Sequence, residues 1–237
     1  MSMARRRCLL LLTLINCPHT FASVFASVVP PACWTPNATR VLVAFVSDTG
    51  RTAALADQVA AGAQTVATTC VWRVDVSGID VSRVDVDRVD VSKASAEIVR
   101  DADAIIVGSP VHNANPASRI LAWMERWPFK GGPLRDKIGA AFVTAGGISA
   151  GEETTQLALL HAMLEFGMVV MGGADWRSAF GAAAIHGEAP FAAAATDEQF
   201  NEKARALGAR VALFAARQRG NATVAIQNES VGKLKSP

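Results

Sequence analysis

The chain has 237 residues, with 23 Lys and Arg against 21 Asp and Glu, 51% hydrophobic residues and no tyrosine. This balance excludes the basic face of a nucleic-acid binder and the low hydrophobicity of a disordered chain. The length suits one α/β domain with a full core.

Residues 1–26 read as a signal or targeting peptide. Arg5-Arg6-Arg7 forms a basic start, Cys8 to Ile15 an apolar core, and Ala22, Ser23, Ala26 and Ser27 a small-residue cleavage region. The core is too short for a stable membrane span. Entry into the secretory pathway follows, to a secreted or lumenal state, with a bipartite plastid signal as the alternative. Removing Arg5, Arg6 and Arg7 leaves the remainder near neutral. Cys33 and Cys70 remain; they pair in an oxidising lumen or stay as buried thiols. Neither stands in a metal-ligand spacing, so no metal is expected. Asn37-Ala38-Thr39, Asn221-Ala222-Thr223 and Asn228-Glu229-Ser230 are glycosylation sequons if the chain enters such a compartment.

Val41 to Val46 is a short apolar run, as expected of a strand buried on both faces. Ser47-Asp48-Thr49-Gly50-Arg51-Thr52 follows, and then the helical pattern from Ala53. A strand, a tight polar turn and a helix start aim several backbone N–H groups and the helix dipole at one spot, which attracts a phosphate. The competing reading is a helix cap on Thr49 or Thr52. The turn matches neither G-x-x-x-x-G-K-[ST] nor G-x-G-x-x-G.

Cys70 to Val76 reads as a second strand. A five-residue repeat runs over residues 74–93 and is expected to be an insertion between strands two and three, because one coil cannot bury two faces of a solenoid. Ala94 to Ala102 is a short helix. Ala104 to Gly108 is a third strand, ending in Ser109-Pro110 and the loop Val111-His112-Asn113-Ala114-Asn115. Ala117 to Trp127 is helical. Lys137 to Thr144 is a fourth strand, running into Ala145-Gly146-Gly147 and on to Gly151-Glu152. A helix spans Glu153 to Phe166, and Met168 to Met171 is a fifth strand. The segment after it, with Trp176, Phe180, His186, Pro190 and Phe191, reads as a long loop. The last helix runs from Asp197 to Gln218 with Thr196 as its cap, and residues 219–237 read as a disordered tail.

Five strand–helix alternations predict an α/β three-layer sandwich around a five-stranded parallel sheet in the order 2-1-3-4-5, spanning residues 40–218. Ligands bind such sheets outside the carboxyl ends of the strands. The loops 47–52, 110–116 and 144–152 all sit at such ends.

On these residues the chain resembles the flavodoxin-like NAD(P)H:quinone oxidoreductases of the WrbA type. Ser47 to Thr52 resembles their phosphate loop, and Gly108-Ser109-Pro110 with Asn115 resembles their G-[ST]-P-x-x-x-x-N. Thr144 to Gly147 with Gly151 resembles their glycine-rich loop. Phe166-Gly167-Met168 and Pro190-Phe191-Ala192-Ala193 resemble their H-G-M and P-Y-G-A. The resemblance implies FMN as cofactor and NAD(P)H as co-substrate. It implies a quinone-like acceptor and a homodimer or homotetramer. FMN contacts are then expected at Ser47, Asp48, Thr49, Gly50, Arg51, Thr52, Pro110, Val111, His112, Asn113, Ala114, Asn115, Thr144, Ala145, Gly146, Gly147 and Gly151. His112 is the candidate catalytic residue; His161 reads as a packing or surface residue, and His186 lies in a loop that either closes over the flavin or stays at the surface. Trp127 and Trp176 are candidates to cover the flavin ring. Two further readings stay open: an electron carrier without NAD(P)H activity, and a non-enzymatic binding module.

Overall fold

The computed structural model describes residues 30–78, 91–192 and 197–220. The expected leader, most of the pentads, Thr196 and most of the expected tail lie outside the described residues.

The strands are β1 (Thr39–Phe45), β2 (Thr69–Asp75), β3 (Ala104–His112), β4 (Asn115–Pro116), β5 (Ile138–Ala145), β6 (Val169–Val170) and β7 (Ala182–Ile185). The helices are α1 (Arg51–Gln64), α2 (Val91–Asp101), α3 (Ser118–Met124), α4 (Glu152–Glu165) and α5 (Glu198–Gln218). Parallel pairing runs β2-β1-β3-β5, and β6 follows on the far side of β5. This is the expected 2-1-3-4-5 order, with the fifth position shared by two pieces.

That division corrects the sequence reading. β6 pairs with the start of β5 through Val169 opposite Ile138, and β7 pairs with its end through Phe142 to Ala145 opposite Ala182 to Ile185. Residues 171–181 are an excursion within the fifth strand, and part of the expected loop is sheet. Three other differences are smaller. The loop at 110–116 contains a hairpin, α3 stops at Met124, and the cap of α5 is Asp197, whose carboxylate accepts from the Gln199 N–H.

Alternation along β1 divides the core. Val41, Val43 and Phe45 pack with α1 and α5, whereas Leu42, Ala44 and Val46 pack with Val99, Ile120, Trp123 and Leu159 on the opposite face. The sheet is therefore covered on both sides. A disulfide between Cys33 and Cys70, with 5.5 Å between Cα atoms, ties the segment before β1 to β2.

On the first face α1 and α5 approach at backbone distance. A Cβ on Gly62 would fall 1.9 Å from the Arg205 carbonyl oxygen, and one on Gly208 would fall 1.9 Å from that of Val59. Alanine favours a helix by about 1 kcal/mol over glycine, but this overlap is with backbone and cannot relax by a rotamer change. Gly208→Ala is expected to destabilise the fold by about 1–3 kcal/mol, the usual range for overpacking. Equilibrium urea unfolding measures it; a stabilised variant would show that the helices separate freely.

Candidate functional site

The site begins where β1 leaves the sheet. The Val46 N–H still reaches the Gly108 carbonyl at 3.1 Å, and the Ser47 N–H reaches Ser77 Oγ at 3.1 Å. Gly50 then turns the chain with φ +84°, and α1 starts at Arg51. The Ala53 N–H donates to Ser47 Oγ at 3.2 Å. Between these two anchors, the N–H groups of Asp48, Thr49, Gly50, Arg51 and Thr52 have no acceptor among the described residues. A Cβ placed on Gly50 would meet nothing within 4 Å. Five free donors at the head of a helix, with open space beside them, form a cradle for an anion.

The three hydroxyls of this turn have separate partners. Ser47 caps the helix. Thr52 is 2% exposed, and its Oγ1 lies 2.8 Å from Thr144 Oγ1, which locks the first turn of α1 to the end of β5. Only Thr49 leaves its hydroxyl exposed and uncommitted. Thr144 belongs to this buried pair, not to a freely accessible loop.

Asp48 acts through its side chain. Its carboxylate takes His112 Nε2 at 3.1 Å and also pairs with the Arg119 guanidinium. The phosphate turn is thereby latched to the end of β3 and to α3. His112 is half exposed at this mouth.

The second wall is the β3–β4 hairpin. Asn113 and Ala114 have φ +50° and +58°, the two left-handed residues of a tight turn, and His112 pairs with Asn115. Asn115 Nδ2 donates to the Asn113 carbonyl at 2.8 Å, fixing the turn. Ser109 Oγ accepts from the Ala117 N–H at 2.9 Å, so the serine of Gly-Ser-Pro builds the corner beneath Pro110 and Val111. The third wall follows β5, through Ala145, Gly146 and Gly147. Glu188 takes the Ile148 N–H at 2.7 Å, and Glu152 takes the Ser149 N–H at 3.0 Å. Gly151 has φ +101°, and a Cβ on it would come within 2.4 Å of the Ala114 Cβ. The second and third walls touch at that point, so a ring cannot pass between them there.

Several expected residues lie elsewhere. Phe166 and Trp127 stack on each other at 5.4 Å where β6 meets the start of β5, at the end of the sheet opposite the site. Trp176 stands on the excursion and is 85% exposed. Neither tryptophan covers the cradle. Phe191 packs edge-on against Phe200 at 5.0 Å, and Ala192 ends the described part of that motif. His186, read as part of a loop over the flavin or at the surface, is 2% exposed, and neither ring nitrogen has a partner among the described residues. Burial pushes its imidazole below the ordinary value, and the Arg51 charge pushes the same way.

Fold and cradle together define a flavodoxin-like protein whose residues fit the phosphate of FMN: free amides, an open left-handed glycine, one exposed hydroxyl and Arg51. Residues 39–183 match the NADPH-dependent FMN reductase family, and the chain belongs to it. It is 33% identical over 141 residues to an NAD(P)H dehydrogenase (quinone) of Azorhizobium caulinodans, covering 56% of this chain and 70% of that one. It is 29% identical over 176 residues to NAD(P)H dehydrogenase (quinone) 3 of Rhizobium meliloti, covering 70% and 82%. Its fold is shared with a WrbA-like flavodoxin of Agrobacterium tumefaciens, with a TM-score of 0.58 and 19% identity over 76% of this chain and 99% of that one. An NADH:FMN oxidoreductase in its apo form has the same TM-score at 17% identity, covering 73% and 89%.

The hydroxyl pair gives a test by double substitution. Thr52→Val strands a buried Thr144 hydroxyl and should cost about 1–3 kcal/mol. Adding Thr144→Val should return most of that loss, because both polar partners are then gone. Denaturation of the three variants reads it; additive losses would show that the pair does not couple. Thr49→Ala, in contrast, should leave stability nearly unchanged and weaken FMN more than riboflavin.

Proposed function

We infer that the chain is an FMN-dependent oxidoreductase that takes two electrons from NAD(P)H and delivers them to a quinone-like acceptor. The observation that carries this reading is the run of five amides from Asp48 to Thr52, unpaired among the described residues, beneath an open Gly50. Bound FMN supplies the redox chemistry, accepting a hydride from NAD(P)H and releasing two electrons to the acceptor.

The chain's own residues bind, orient and wall. The cradle and the Thr49 hydroxyl hold the phosphate, and Arg51 adds charge beside it. The hairpin from Pro110 to Asn115 and the turn from Ala145 to Gly151 supply rigid backbone for the rest of the flavin. His112, held through Nε2 by Asp48, stands half exposed at the mouth where the acceptor enters. Such a site needs positioned donors and fixed walls; the cofactor carries the electrons, so no acid–base triad is required.

Two further parts belong to this reading. The leader and the Cys33–Cys70 disulfide support residence in an oxidising lumen or outside the cell. A homodimer or homotetramer, as the resemblance implies, is read directly by light scattering.

Stopped-flow mixing of the flavin-loaded chain with NADPH and with NADH tests the activity. Flavin absorbance near about 450 nm should bleach without an added reductase and recover when a benzoquinone is mixed in. Absorbance that falls only after a separate reductase is added would establish an electron carrier instead. Asp48→Asn frees His112 and Arg119 from the phosphate turn. It should raise the KM for the quinone and leave FMN affinity within about fivefold, a surface-pair effect of roughly 0.2–1 kcal/mol. A large loss of FMN would show that the latch holds the cofactor itself.

A further inference from the structure

A buried histidine with two unpartnered ring nitrogens is expensive to keep unless something pairs with it. Among the described residues, His186 is such a group. Its position follows from the ladder. The His186 N–H donates to the Ala145 carbonyl at 3.0 Å, which continues the pairing of β7 with β5 one residue past the strand. Ala182 and Ala184 lie in the core beneath α1 and α5. Alternation puts the His186 side chain on that same face. Ala184 is opposite Thr144, and Thr144 is bonded to Thr52 in the first turn of α1. The imidazole therefore sits one step beyond the Thr52–Thr144 pair, beside the head of α1, close enough for Arg51 to act on it.

The neighbouring charges are accounted for. From α1, Arg51 acts on the imidazole, while Asp57 farther along pairs with Arg73. In the adjoining loops, Glu188 is engaged by the Ile148 N–H, Glu152 by the Ser149 N–H, and Asp48 by His112 and Arg119. From the start of α5, Glu198 pairs with Arg205, and Glu202 and Lys203 follow it. The charge acting on His186 is thus positive, and so is the helix end. Burial first, and the Arg51 charge second, push the imidazole below its ordinary value.

We propose that His186 is a proton-linked member of the flavin phosphate site, taking up one proton from solvent and donating it in a hydrogen bond to the phosphate dianion of FMN. Docking of the dianion reverses the field that Arg51 and the helix head impose, and it supplies the missing partner. The proposal rests on the FMN reading above.

Linkage fixes the sign. A ring that is neutral in the free protein and protonated in the complex makes FMN bind more tightly as pH falls between its two pKa values. For one proton the limit is about tenfold per pH unit. The second ionisation of the phosphate, near about pH 6, works in the opposite direction, but it is common to wild type and variant.

The test is a fluorescence titration of the full chain, freed of flavin, with FMN and with riboflavin from about pH 8 down to about pH 6, across the range where histidine titrates. Wild-type affinity for FMN should rise by several-fold more than that of His186→Gln over this interval, and riboflavin should show no such difference. Wild-type imidazole NMR, which needs no variant, should show His186 titrating at higher pH with FMN bound than with riboflavin bound. Equal FMN slopes in wild type and variant, or an unmoved His186 titration, would overturn the proposal while phosphate-selective FMN binding stood. Failure of the wild-type chain to prefer FMN over riboflavin would overturn the cofactor reading as well.

Discussion

Backbone donors cannot be left unpaired in a packed core, and at the head of α1 the fold leaves five of them together. The rest of the site can be understood as what keeps that arrangement open. Ser47 takes the one N–H that would otherwise draw the turn inward, and Ser77 holds the Ser47 backbone from the other side. Thr52 is pinned to Thr144, so the first turn of α1 cannot rotate its amides toward the sheet. Gly50 supplies a left-handed residue without a side chain over the opening. These contacts are short-range and polar, and they only work because the strands beneath them are fixed by burial on both faces.

The sheet was legible because its strands are apolar without interruption. Val41 to Val46 and Ala104 to Val107 are buried along their whole length, and a run of that kind has few other uses. The phosphate turn was legible for a related reason: the change from a strand pattern to a helix pattern across Gly50 marks a helix head. The division of labour within it was not. Thr52 finds its partner 92 residues away, and no local spacing announces such a pair. The part played by the Asp48 side chain was not legible either, because its two partners come from β3 and α3.

β7 was missed for a different physical reason. Ala182-Ala183-Ala184 has the propensity of a helix, not of a strand, and tertiary context overrides it. Small side chains suit this place, since Ala182 and Ala184 lie under two helices that already approach at backbone distance elsewhere. Once β7 is missed, His186 has no register, and a histidine in an alanine-rich loop reads as part of a flap over the flavin or as surface. The same split sets the place of Phe166. The residue precedes β6, the half of the fifth strand that pairs with the start of β5, so it is carried to the opposite end of the sheet.

The split of the fifth strand also explains how the third wall is held. If the strand ran unbroken from β6, its carboxyl end would follow Val170 by a few residues, and the segment 186–191 would have no fixed place. Because residues 171–181 leave the sheet and β7 returns in register against Phe142 to Ala145, the chain emerges directly beside the Gly146-Gly147 turn. A Cβ on Gly187 would lie 2.3 Å from the Gly146 carbonyl oxygen, so the two backbones are in contact there. Glu188 can then reach the Ile148 N–H, and His186 is delivered to the side of α1. The excursion thus connects a change at the sheet edge to the geometry of the cradle: a register shift in four alanine-rich residues would move a carboxylate, a histidine and a glycine turn together.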